Sequence, residues 1–296
     1  MSGRVDFHVH SNLSSDGDFS PAELVGFAAN AGMRAFSIAD HDTVAAYPEA
    51  VELGRRAGIE VIPGIEITTL FAGREFHLLL PLVDWASPAL AAIIDGQTEC
   101  RMTETRERIE KLRGLGFAVT LDEVRKRANG VPPLGVKIAQ VLLDDPENER
   151  NPALEFYYRP ENRPYGPSLF YKDYFAEGKP AWVPKKFVAL LDVLAAAPAT
   201  GGVPVLSHPG AYFQRTTPED ARTLREHGLA GMEVYTFYHT AEQTAFYREL
   251  ADELDLVATA GSDFHGRVKP HVAFGALAEG DYGMVERLRA RRGGAA

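Results

Sequence analysis

Six of the nine histidines stand beside a carboxylate or at the end of a short apolar run, and this pattern constrains the chain most. It begins with Val5-Asp6-Phe7-His8-Val9-His10, then Ser15-Asp16-Gly17. Ala39-Asp40-His41-Asp42-Thr43, Gly64-Ile65-Glu66 and Glu75-Phe76-His77-Leu78 follow. Ser207-His208-Pro209 and Gly261-Ser262-Asp263-Phe264-His265-Gly266 complete it. Apolar, often β-branched runs before such residues read as buried parallel strands. Imidazoles and carboxylates at the carboxyl ends of parallel strands converge on one point in a barrel. The pattern predicts a multinuclear metal site, and such a site predicts hydrolysis.

The chain has 296 residues and 45% hydrophobic content, enough for one large α/β domain carrying an insertion. Its net charge of −10 disfavours long nucleic acids and anionic membranes as partners. The single cysteine, Cys100, forms no intrachain disulfide and fits a reducing cytoplasm. No apolar run reaches membrane-spanning length, and no leader-like stretch precedes His8. A soluble cytoplasmic protein is expected.

Strand-like and helix-like segments alternate. Strands are expected at 4–9, 34–39, 60–66, 75–83, 203–207, 231–235 and 257–260. A helix should start at Ser20-Pro21, with a serine cap and proline in the first turn, and others at 43–57 and 87–115. Residues 117–185 change character: Pro132-Pro133, Arg163-Pro164-Tyr165-Gly166-Pro167 and Gly178-Lys179-Pro180 separate short helices at 120–128 and 135–143. This stretch reads as a small inserted domain or lid, and 1–116 with 186–296 as the main domain. Helices are then expected at 186–197, 218–228, 240–254 and 282–291, and a frayed tail at Arg291-Arg292-Gly293-Gly294. Alternating βα units with seven strands predict an α/β fold, a parallel barrel.

His8-Val9-His10 places both imidazoles on one strand face, because side chains repeat every two residues. Asp40 and Asp42 flank His41, where a carboxylate can fix a histidine's tautomer; Asp42 can equally cap a helix. A charge such as Glu66 after Val61-Ile62-Pro63-Gly64-Ile65 is costly unless paired or metal-bound. Singly, each histidine is an ordinary core residue; the nine groups together, at strand ends, are not. A donor set of nitrogen and oxygen without thiolate suits zinc, manganese or iron. His227 before Gly228 reads as a helix C-terminal residue, whereas His239 and His271 stay open. Tyr235, Phe237 and Tyr238 either line a pocket or cap the barrel.

These motifs, in this order, resemble the PHP family, named for polymerase and histidinol phosphatase domains. The resemblance spans nearly the whole chain and implies a distorted (β/α)7 TIM-like barrel with two or three divalent metal ions. Carried over, His8, His10, Glu66 and Asp263 would hold one metal; Glu66, bridging, with His77 and His208 a second; Asp16, His41 and His265 a third. Gly178-Lys179-Pro180-Ala181-Trp182-Val183-Pro184 is similar to the end of the insertion in the nucleotide-phosphatase-like members. Where those carry Arg-Pro-His facing the substrate phosphate, this chain has Gly135-Val136-Lys137, which makes Lys137 the candidate phosphate partner.

The implied chemistry is hydrolysis of a small phosphomonoester, a nucleoside mono- or bisphosphate, by a hydroxide shared between two cations that lower its pKa. Glu66, Asp263, His208 and Lys137 are the candidate catalytic residues; Lys179, Lys185 and Arg215 are further candidates to neutralise phosphoryl oxygens. Competing readings are a phosphodiesterase or 5′-3′ exonuclease on short oligonucleotides, a histidinol phosphatase and a non-catalytic metal-stabilised binding module.

Overall fold

The computed structural model describes residues 3–14, 16–128, 131–277 and 279–292. Ser15 of the first motif and Gly293-Gly294 of the tail lie outside these residues. The described chain is a mixed α/β fold in which two sheets carry the site. The first sheet is wholly parallel, β1 (Arg4–Val9), β2 (Met33–Ile38) and β3 (Glu60–Val61), in that order. The second runs β4 (Glu66–Phe71), β5 (Arg74–Leu79), β6 (Val205–Leu206), β7 (Gly231–Tyr235) and β8 (Val257–Ala260).

The wholly parallel barrel expected from the sequence is corrected here, because β5 is antiparallel to both β4 and β6. The strand expected at 60–66 breaks after Val61, and a new one starts at Glu66. The two-residue turn Ala72-Gly73, both at positive φ, folds β5 back on β4 as a tight hairpin. The ladders do not close into one sheet. Isolated parallel bridges, Val9 with Phe264 and His41 with Glu66, join them instead, beside the predicted site residues.

Helices cover the sheets. They are α1 (Pro21–Asn30), α2 (Tyr47–Ala57), α3 (Pro88–Gly114), α4 (Leu121–Arg127) and α5 (Gly135–Leu143). Then come α6 (Glu155–Tyr158), α7 (Gly166–Phe170), α8 (Leu190–Thr200), α9 (Pro218–Glu226), α10 (Ala241–Glu253) and α11 (Tyr282–Arg291). The Ser20 hydroxyl accepts from the Glu23 N–H, and the Glu23 carboxylate accepts from the Ser20 N–H, a reciprocal cap that fixes where α1 starts. Asp42 caps no helix, since α2 begins after Ala46 and Asp42 instead accepts from Arg101 Nε at 3.0 Å.

Ile65, Leu78, Leu206, Met232 and Val234 form one apolar core between the second sheet and its helices. Val9, Leu24, Phe36, Ile38 and Tyr47 form another under α1 and α2. Residues 109–181 bury a separate cluster that includes Leu112, Ile138, Leu142, Leu154, Phe170 and Phe175. Phe170 stacks on Tyr174 with centroids 4.3 Å apart and meets Tyr157 edge to face. Among the described residues, no helix is long and apolar enough to cross a membrane.

Phe170 is fully buried at the centre of this cluster. Phe170→Ala should therefore cost about 3–5 kcal/mol. Chemical denaturation followed by tyrosine fluorescence checks this; a loss under about 1 kcal/mol would show that the cluster is not a packed core.

Candidate metal centre

The carboxylate of Glu66 is 1% exposed, and five imidazoles converge on it. His8 Nε2 and His10 Nε2 lie 3.1 and 3.3 Å from Glu66 Oε2, and His41 Nδ1 lies 3.3 Å from the same atom. His77 Nδ1 and His208 Nε2 lie 2.9 and 3.2 Å from Glu66 Oε1. Asp263 Oδ1 stands 3.4 Å from His8 Nε2 and 3.1 Å from His10 Nε2. Asp16 Oδ2 is 3.1 Å from His265 Nε2 and 3.7 Å from His41 Nε2. The structure thus brings together all nine residues that the sequence singles out as metal ligands.

Their ligand atoms fall into three groups: His8, His10, Glu66 and Asp263; His41, Glu66 and His77; and His10, Asp16, His41 and His265. A divalent ion fits them on two grounds. Two ligand atoms about 2.1 Å from one ion, at angles between octahedral and tetrahedral, stand about 3.0–3.4 Å apart. Seven of the nine contacts given above fall in that range. Second, His8 Nε2, His41 Nδ1, both nitrogens of His10 and Asp263 Oδ1 are buried without a hydrogen bond, although carboxylate or imidazole atoms surround them. Buried polar atoms left so are costly unless something else satisfies them, and a shared cation does.

The electrostatics agree. Burial alone would raise Glu66, but His8, His41 and His77 hold it well below the usual carboxylate range. Asp263 is held low in the same way, against burial, by Lys269, His8 and His265. Asp16 is also held low against burial, by His265 and His41. These neighbours favour the ionised form of all three carboxylates.

Surrounding groups aim the imidazoles. His8 Nδ1 donates to Glu233 Oε1 at 3.0 Å, and the His208 N–H donates to Glu233 Oε2 at 2.8 Å. Gly261 makes room for this contact, because a Cβ there would overlap Glu233 Oε1. Asp263 sits at φ +57°, a left-handed conformation that aspartate tolerates better than most residues. Asp40 does not orient His41, a correction to the sequence reading. It accepts instead from Ser11 N and Ser11 Oγ, both at 2.6 Å. His227 closes α9 through Thr223 O, as expected, whereas His239 braces the loop after His208 by accepting from the Gly210 N–H at 3.0 Å.

A cavity of about 660 Å³ opens on this cluster. Arg101, Arg108, Tyr171, Phe175, Lys185, Phe213, Tyr238 and Lys269 line it together with the histidines. Lys269 pairs with Asp263, and Arg108 lies 4.6 Å over the Phe175 ring. Lys185 lines the cavity; Lys179 and Arg215 are exposed. Lys137 is partly buried and donates to Gln140 Oε1 at 2.9 Å, while Leu134, Gly135 and Val136 form the cavity wall there. Burial lowers the Lys137 ammonium, and Asp16 and Asp18 oppose that shift. Sequence reading missed Glu233, Arg101, Arg108 and Lys269. For Glu233 a signal existed, a carboxylate inside the apolar strand Met232-Glu233-Val234; Lys269 lies beyond any regular element and gave none.

A buried nitrogen and oxygen cluster of this kind, open to a cavity that arginines and lysines help to line, suits metal-dependent hydrolysis. Comparison with known proteins specifies the class. The PHP domain model matches residues 6–112. The chain is 30% identical over 273 residues to the phosphoribosyl 1,2-cyclic phosphate 1,2-diphosphodiesterase of Eggerthella lenta, covering 91% of this chain and 97% of that protein. It is 29% identical to a 5′-3′ exoribonuclease of Haemophilus influenzae, covering 90% and 91%. With the 3′,5′-nucleoside bisphosphate phosphatase of Chromobacterium violaceum it shares 26% identity, covering 88% and 87%. A solved structure from Bifidobacterium adolescentis, assigned to the metal-dependent phosphoesterases, superposes with a TM-score of 0.82 at 26% identity, covering 97% and 96%. The chain belongs to the PHP family of metal-dependent phosphoesterases.

Gly261→Ala should displace Glu233 from His8 and lower the affinity for metal by roughly tenfold or more, in keeping with the loss of an outer partner. Titration of the metal-free variant with Mn²⁺ checks this; unchanged affinity would show that the Glu233 contact does not position His8.

Proposed function

We propose that this chain hydrolyses a small phosphomonoester, a nucleoside mono- or bisphosphate, in the cytoplasm. The observation that carries the reading is one cavity joining the Glu66 cluster to arginines, lysines and aromatic rings. Its volume suits a nucleotide-sized ligand. Its aromatic rings suit a base, and its cations suit phosphate. The two sheets act in this reading as one distorted (β/α)7-type barrel whose carboxyl end holds the site.

His8, His10, Glu66 and Asp263 would hold one ion, Glu66 with His77 and His208 a second, and Asp16, His41 and His265 a third. Bound manganese, zinc or iron ions would lower the pKa of the attacking water and neutralise phosphoryl charge. The chain's own residues do the rest. Glu66 and Asp263 keep their carboxylates ionised and fixed, while Glu233 aims His8. Residues 117–185 act as a lid that excludes water from the phosphoryl group. Lys137, which feels the charges of Asp16 and Asp18, supplies a substrate contact from that lid.

A second reading is a 5′-3′ exonuclease on short oligonucleotides. The observation favouring it is Tyr212, 70% exposed at the cavity beside Phe213, a surface on which a base can stack. A screen of the manganese-loaded protein that follows both inorganic phosphate and the nucleoside and nucleotide products separates the two. Release from mono- or bisphosphates in preference to dinucleotides supports the first reading; cleavage of dinucleotides alone supports the second. No turnover of any phosphoester would overturn both.

Glu66→Gln should abolish activity and lower metal content, because one carboxylate serves two ions. Near-normal turnover with full metal content would refute the bridging role. Lys137→Ala should lower kcat/KM for the nucleotide by roughly tenfold, about 1.4 kcal/mol, and lower it less for 4-nitrophenyl phosphate. Activities on both substrates unchanged by Lys137→Ala would remove Lys137 from the substrate contacts.

A further inference from the structure

A chain of polar contacts leaves the centre on one side and ends on a lysine. His77 binds Glu66 through Nδ1, and its Nε2 lies 3.0 Å from Glu75 Oε1. The other oxygen of Glu75 pairs with the ammonium of Lys185, which also lies 3.3 Å from Tyr171 Oη. Glu75, His77, Tyr171 and Lys185 all line the cavity. The Lys185 side chain is 22% exposed, and its ammonium lies 5.7 Å from the centre of the Phe187 ring. Lys185 belongs to the segment that leads from the small helical cluster back to α8, and Tyr171 to a π-helical turn of that cluster.

Hydrolysis of a phosphoester with an alkoxide leaving group needs a proton at the departing oxygen. Arginine cannot supply one, because its guanidinium does not deprotonate in proteins. Arg74, Arg101 and Arg108 are thereby excluded; the cavity's ammonium groups are those of Lys172, Lys185 and Lys269. Lys172 is exposed. Lys269 pairs with Asp263, itself one of the grouped ligand carboxylates, and so serves that residue. We propose that Lys185 gives its proton to the leaving oxygen, with Glu75 and Tyr171 as the residues that position its ammonium. The phosphorus–oxygen bond breaks with its electron pair on the leaving oxygen, which takes the proton from Nζ. The oxygen of the attacking water ends on phosphorus, and the neutral amine regains, through solvent, the proton that water sheds. Burial pushes the Lys185 ammonium down to about 8, so it is charged at neutral pH yet releases its proton more readily than an ordinary lysine.

The proposal rests on the phosphoesterase reading of the Glu66 cluster. The test uses the full-length, manganese-loaded protein and a series of aryl phosphates of rising leaving-group pKa. 4-Nitrophenolate leaves without a proton, so wild-type turnover of its ester reports on the phosphoesterase reading alone; its absence would overturn that reading and this one with it. Lys185→Met should cost about 100-fold or more in kcat for the least acidic phenol and under about threefold for 4-nitrophenol. Lys185→Arg, which keeps the charge but holds its proton, should lose as much as Lys185→Met. Tyr171→Phe should steepen the same dependence by a smaller factor. Metal content should match the wild type in all three. An even loss across the series, rescue by arginine, or a fall in metal content would overturn the proposal.

Discussion

One buried carboxylate surrounded by five imidazoles is the interaction on which the rest of this structure depends. Glu66 is all but inaccessible, and burial alone would raise its pKa. The histidines reverse that balance, and the hydrogen-bond-free contacts among them call for a cation. Much of the local backbone serves this point. The His41–Glu66 bridge fixes the first residue of β4 against the strand end that carries His41. The backbone bonds His10 N to Phe264 O and Asp263 N to His8 O lock the last motif onto the first. Two sheets that do not share a continuous ladder are thus fastened where the ligand atoms must meet.

The cost of collecting so much charge is spread over the surrounding residues. Glu233 reaches His8 only because Gly261 has no side chain. Asp42, one residue from His41, is matched by the buried Arg101. Arg101 and Arg108 lie on a buried polar face of α3 that also carries Gln97 and Glu104. That helix therefore contributes a wall of the cavity as well as a link between the sheets and the small helical cluster.

The sequence made some of this legible. Helices such as α1 and α5, and strands such as β1 and β7, follow from capping residues and apolar runs. Histidines and acids at the ends of apolar runs mark the cluster because such groups are costly to bury without a purpose. The β4–β5 hairpin was hidden, since Ala72-Gly73 is a weaker turn signal than Asn-Gly or Asp-Gly and the flanking strands are short. Asp40 and Asp42 pair with Ser11 and Arg101, partners that the residues around His41 do not announce. Buried arginines on α3 look, in sequence, like the exposed side of an amphipathic helix. Lys269 and Lys185 gain their meaning only from partners six and 110 residues away.

The most direct test of the account is an anomalous difference map from crystals of the protein loaded with Mn²⁺, recorded at a wavelength where manganese scatters anomalously. The account predicts peaks within about 2.0–2.3 Å of ligand atoms from Glu66, one of them shared with His8, His10 and Asp263. A map with no peak beside Glu66, from protein that still hydrolyses phosphoesters, would contradict it.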